Sequence, residues 1–163
     1  MTEIPTPDFT NFSKVQKYEY FHAQWPHLWD HTLPNYANCC NVYALLRQVF
    51  GWWWIGNYWV QGNCLKLGAF QGDPACSSIA FGKGVCGLCW QESRSIVVPN
   101  VHLFPGHIAC SSLTNSEIVI PIYDLSNTII GVLDVDSMDL DNFDDTDRIE
   151  LELFCIKLAT LLS

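Results

Sequence analysis

The spacing of apolar residues changes several times along the chain, and each change predicts an element. Val42, Leu45, Leu46, Val49 and Phe50 recur at i, i+3, i+4, i+7 and i+8, the stripe of an amphipathic helix. Gly51 is placed to end it. Upstream, residues 13–30 are aromatic-rich and read as helical, broken at Pro26. Downstream, "WWWIGNYWVQGNCLKLGAF" reads as a β-hairpin turning at Gly62. Residues 70–87 carry Gly72, Pro74, Gly82, Gly84 and Gly87, so they predict loop with short extended pieces. "VCGLCWQES" predicts a short helix, and "SIVVPNV" a strand ended by proline. After another loop, "EIVIPIYD" and "TIIGVLDVDS" form two strands joined around Ser126 and Asn127. The final "DDTDRIELELFCIKLATLLS" is a helix with Asp144 at its N-cap. Its buried stripe is Leu151, Phe154, Cys155, Leu158, Leu161 and Leu162. Residues 1–12 read as a flexible N-terminal arm and 13–163 as one domain. This order predicts an α+β fold, a central antiparallel sheet with helices packed on it.

Composition narrows the class. Of 163 residues, 49% are hydrophobic and 15% charged, which suits one globular domain with a sizeable core. The net charge of −9 repels phosphate backbones and anionic lipid, so neither nucleic acid nor a membrane surface is an expected partner. No apolar run reaches the roughly 20 residues of a membrane-spanning helix. The N-terminus lacks the basic start and apolar block of a secretory signal. A cytoplasmic location follows as the expectation. There the eight cysteines are reduced thiols rather than a disulfide scaffold.

Three groups of residues carry candidate chemistry. Asp134 and Asp136 alternate onto one strand face, while Leu133 and Val135 take the other. Two acids on one face describe either a solvated surface or a shared acidic pocket with Glu117, which begins the neighbouring strand. Such a pocket binds a cation, and mutual repulsion raises a carboxyl pKa enough to leave a general acid near neutral pH. The second group is Cys76, Cys86, Cys89 and Cys110. Cys76 and Cys110 stand in polar loops, where two sulfurs can meet. Cys86 and Cys89 form a C-x-x-C that follows no βαβ start, so it is not a thioredoxin-type site. A zinc site there needs two more ligands. His102, His107 and Cys110 stand at spacings that match no common zinc pattern. The third group is Trp54, Gly56 and Tyr58, on one face by alternation, with the glycine expected to leave a slot between two rings. Acids opposite such a slot would hold an ammonium, with an apolar tail against the rings. His107, three residues before Cys110, reads as a solvated loop histidine ahead of the alternative that it assists thiolate formation.

Four stretches in order, "GAFQGDPACSSIAFGKGVCG", "PNVHLFPGHIAC", "SEIVIP" and "IIGVLDVDS", resemble the free methionine-(R)-sulfoxide reductases, a family with the GAF fold. The likeness runs from about Trp54 to Phe143, and the last helix fits as well. It implies redox roles for Cys76, Cys86 and Cys110. It also implies an acidic pocket of Glu117, Asp134 and Asp136, with Trp54 and Tyr58 as the pocket aromatics. Asn57 replaces an aromatic usual in the family, and alternation turns it away from the slot. Cys39, Cys40, Cys64 and Cys89 match no redox position and read as structural. The implied reaction reduces free methionine-(R)-sulfoxide. Cys110 attacks the substrate sulfur, and Cys76 resolves the resulting sulfenic acid as a disulfide. Cys86 relays or resolves, and a thioredoxin-like protein restores the thiols. The resemblance calls for no cofactor and no metal, and it is compatible with a homodimer. A ligand-sensing GAF module has no need of the three matched cysteines, and a thiol redox switch has no need of an acidic slot.

Overall fold

The computed structural model describes residues 7–108 and 111–162. Six strands lie between four helices. Helix α1 spans Lys14–Gln24 and α2 spans Asn35–Phe50. The strands β1 (Trp54–Gln61) and β2 (Cys64–Gln71) form the expected hairpin, followed by a short β3 (Ser78–Ala80). Helix α3 (Gly84–Glu92) and β4 (Ile96–Val98) precede the long strands β5 (Ser116–Tyr123) and β6 (Ile129–Ser137). Helix α4 covers Asp145–Leu162. The strands pair in the order β3-β2-β1-β6-β5-β4, every neighbour antiparallel.

Local chemistry sets the ends of these elements. Ser13 and Gln16 form a reciprocal capping box at the start of α1. Gly51 takes a left-handed conformation after α2 and donates its N–H back to the Arg47 carbonyl. The Asp144 carboxylate accepts from the backbone N–H groups of Thr146 (2.7 Å) and Asp147 (3.3 Å) at the head of α4. Residues 7–12, expected as the end of a loose arm, contain a 3-10 turn at Phe9–Asn11. Phe9 lies edge-on to Tyr20 at 5.1 Å and packs on the core.

The sheet separates two apolar layers. On one face, Ile55, Ile118, Ile120, Ile122, Leu133 and Val135 meet Val42, Leu46, Leu151, Phe154 and Leu158 of α2 and α4. On the other, Trp54, Tyr58, Leu65, Val119 and Val132 meet Val85, Cys86 and Cys89 of α3. The stripe predicted for α4 is buried through Leu158, and Leu161 and Leu162 are half-exposed. Asn57 is fully buried on the α2 side, where its side-chain oxygen accepts from the Tyr43 hydroxyl at 3.1 Å. It faces away from Trp54 and Tyr58, as alternation requires. A polar tie joins α1 to α4: buried Asp147 accepts from the Tyr18 hydroxyl (2.9 Å), the Asp144 N–H (2.9 Å) and the Lys14 ammonium. Among the described residues, no helix is long and apolar enough to cross a membrane.

Candidate active site

Sheet register assembles the acids and the rings. β1 pairs with β6 so that Trp54 stands opposite Asp136 and Gly56 opposite Asp134. β5 pairs with β6 so that Glu117 stands opposite Asp136 and Val119 opposite Asp134. Directly opposed residues share a face. Glu117, Asp134, Asp136, Trp54 and Tyr58 therefore all point to the α3 side, and all five line one pocket. The solvated-face reading of the two aspartates is excluded for Asp134, which is 7% exposed.

The rings are arranged differently from the simple slot. Gly56 leaves no opening between them, because the Trp54 indole lies across it. A Cβ there would stand 2.4 Å from the far edge of that indole and 2.6 Å from the Phe70 Cβ. Gly72 makes the same allowance from the other side, with φ of 136° and the indole 2.5 Å from where a Cβ would stand. The indole stacks at 5.6 Å on Phe70 and 6.1 Å on Tyr58, and its N–H donates to the Asp73 carbonyl at 3.0 Å. Trp54 and Tyr58 thus form one continuous aromatic wall, rather than two sides of a gap. Alternation gave the face of each ring but not its rotamer.

In the same pocket the three carboxyls have a raised affinity for protons. Burial raises the pKa of Glu117 well above the carboxylate range, and the charge of Asp136 adds to it. Burial likewise raises Asp134, reinforced by the charge of Glu117. Asp136 is raised by burial and by Asp134, against a hydrogen bond from Thr114. Glu117 and Asp134 are hydrogen-bonded, so at least one of them carries a proton. The Oδ1 of Asp134 has no hydrogen-bond partner among the described residues, although it is buried. An orphaned acceptor in such a place suits an incoming cationic donor.

The cysteines divide by environment. Cys86 sits in the first turns of α3, 3% exposed, beside Asp134 and Glu117. Burial and the two neighbouring acids push its thiol pKa well up, so it is a neutral thiol. Cys76 is half-buried in the loop before β3, and its sulfur is held in a disulfide. Cys110 lies outside the described residues. Cys39, Cys89 and Cys155 are buried free thiols, and Cys40 and Cys64 are free and half-exposed. Cys86, Glu117 and Asp134 each present a ligand atom within 4.8 Å of the others. A metal there would compete with protons, because each of the three groups is raised in pKa.

Further residues line the pocket, among them Trp53, Asp73, His107, Ser111 and Thr114. Of these, sequence reasoning singled out only His107, and it read that residue as solvated. Its ring is 15% exposed, and its Nε2 lies 3.4 Å from Glu117 Oε2. A motif of Phe-Pro-Gly before the histidine was the available signal. The turn folds back with the His107 N–H donating to the Phe104 carbonyl at 3.2 Å.

Comparison with known proteins places this geometry among relatives. Residues 41–163 match the model for the GAF domain. The chain is 48% identical over 137 residues to GAF domain-containing protein A of Dictyostelium discoideum, spanning 83% of this chain and 86% of that protein. It is 42% identical over 128 residues to the free methionine-R-sulfoxide reductase of Escherichia coli, spanning 78% and 77%. The crystal structure of free methionine-R-sulfoxide reductase from Neisseria meningitidis, in complex with its substrate, superposes with a TM-score of 0.83. The two are 40% identical, and the match covers 93% of each chain.

Proposed function

The chain belongs to the free methionine-R-sulfoxide reductase family of GAF domains, and from that premise we propose that it reduces free L-methionine-(R)-sulfoxide to methionine. The supporting observation is the pairing, by strand register, of three carboxyls of raised proton affinity with an aromatic wall in one pocket. A free amino acid presents an ammonium for the orphaned Asp134 oxygen and an apolar chain for Trp54 and Tyr58. A peptide-bound methionine lacks that ammonium.

The chemistry asks for a thiol nucleophile and a proton for the sulfoxide oxygen. Cys110 attacks the substrate sulfur as its own proton leaves. A carboxylic acid of the Glu117–Asp134–Asp136 cluster protonates the oxygen, a contribution worth about 10²–10⁴-fold. The S–O bond and the transient S–S bond to the substrate both break as oxygen passes to Cys110, giving a sulfenic acid and methionine. The Cys76 thiol then attacks that sulfur, an S–S bond forms, and water departs. Cys76 already occupies a disulfide position in the structure, which supports its role as the resolving thiol. Cys86 is the reserve resolving group: it lines the pocket, but its neutral, buried thiol makes it a slow nucleophile. A thioredoxin-like dithiol protein supplies two electrons to reopen the disulfide.

The cysteines test this reading. With reductant present, Cys110→Ser is expected to release no methionine. Cys76→Ser is expected to release about one methionine per chain and then slow sharply. Turnover by Cys110→Ser at the parental rate would contradict the mechanism. Cys155→Ser and Cys39→Ser leave the cycle running, because both sulfurs are buried on the far side of the sheet.

A further inference from the structure

The reaction moves a proton from a thiol to a sulfoxide oxygen, and two of the three acids that could deliver it are largely buried. Glu117 is 5% exposed and Asp134 7%. Once such an acid has given up its proton, it needs a path by which to regain one. The groups that face Glu117 are Asp134, Asp136, Cys86 and His107. The first three belong to the same interior cluster and have elevated affinity for their own protons. His107 alone of the four stands on a loop, with its ring 15% exposed and Nε2 at 3.4 Å from Glu117 Oε2, whereas Asp136, also half-buried, has a raised affinity for its own proton.

From this arrangement we infer that His107 is the proton relay that reloads Glu117 between catalytic events. The assignment rests on the sulfoxide-reductase reading. The backbone that carries the ring is held from two directions. The His107 N–H is bound to the Phe104 carbonyl. Its neighbour Ile108 lies against Gly84 at the start of α3, where a Cβ would come within 3.2 Å of the isoleucine. A larger residue at position 84 would push the loop, and His107 with it, off the acid. Burial also lowers the His107 pKa, so the ring is neutral near pH 7. A neutral imidazole takes a proton at one nitrogen and yields one at the other, which a carboxamide cannot do. In each turnover the proton displaced from the nucleophilic thiol, or one from water, enters through the ring and restores the Glu117 carboxyl. Atoms and electrons are otherwise unchanged by the relay.

Steady-state kinetics of His107→Ala and His107→Gln on free methionine-(R)-sulfoxide test this. Both variants are expected to lose roughly tenfold or more in kcat, with KM held within about twofold. Glutamine is expected to rescue nothing, because it can donate to Glu117 without passing a proton. Added imidazoles should restore the alanine variant, and the restored rate should depend systematically on the pKa of the imidazole. A parental kcat in either variant, a loss confined to KM, or rescue that is absent or indifferent to pKa overturns the assignment. A second readout needs no turnover. The His107 titration followed by NMR in the whole chain should move when Glu117 becomes Gln, and an unmoved midpoint also overturns the relay. A parent protein without sulfoxide reduction would instead refute the proposed function, while the NMR result would still decide whether the two groups share protons.

Discussion

At Asp134 the physics of one side chain sets how stability depends on pH. Burial and the neighbouring Glu117 raise its pKa, and Glu117 and Asp136 are raised by the same causes. The three titrate as one system rather than as separate acids. A folded-state pKa above the unfolded value means the native state binds the proton more tightly. That contribution to stability is complete below the ordinary carboxyl range, and it is lost as pH rises through the raised values. Urea midpoints are therefore expected to fall as pH rises toward neutral and beyond. The fall should be shallower in Asp134→Asn, which removes one of the three ionisations. Parallel curves for the two proteins would contradict the protonated cluster. The same logic gives kcat an alkaline limb as the proton-donating acid is lost, and Asp134→Asn should move it. That Asp134 and Asp136 share a face was legible from period-2 alternation. Their burial was not, because alternation is equally compatible with a wet face.

The elements were legible where the pattern was strong. The stripe from Val42 to Phe50 gave α2, and Gly51 and Gly62 marked a helix end and a hairpin turn that the structure contains. Two things stayed hidden. Strand β3 has three residues within a glycine-rich loop, too few to show a period. The indole of Trp54 crosses Gly56 and touches Gly72, a contact that depends on rotamer and on hairpin pairing together. Gly56→Val should expel that indole, because the new side chain would overlap both it and the Phe70 Cβ. The expected cost is about 1–3 kcal/mol of stability, with a higher KM for the sulfoxide; an unchanged KM would show that the wall is not part of the binding surface. Between helices, Asp147 is 1% exposed and ties α4 to Lys14 and Tyr18 of α1. Asp147→Ala removes one partner of a largely buried network and is expected to cost about 3 kcal/mol in urea unfolding. Activity per folded molecule should be retained, since the tie lies on the far side of the sheet from the pocket.

At the scale of the molecule, the sheet keeps packing and chemistry apart. Helices α1, α2 and α4 cover one face, and α3 with its flanking loops leaves the other face to the pocket. The sequence announced the fold class through its order of elements, and its residue types and spacings singled out acids and rings that the structure brings to one pocket. Strand register could not be read from it, yet register is what brings Glu117, Asp134 and Asp136 against Trp54 and Tyr58. His107 was misread because its burial depends on how the 104–108 turn folds back over α3. The pocket is expected to select a free amino acid and to reduce its sulfoxide sulfur once per thiol pair. The most direct measurement is a single turnover by the fully reduced protein without added reductant. Free (R) and (S) epimers and the N-acetylated (R) compound should be offered separately. About one methionine per chain should form from the free (R) epimer, and little from the other two compounds. Equal yields from the N-acetylated compound, or none from the free (R) epimer, would contradict it.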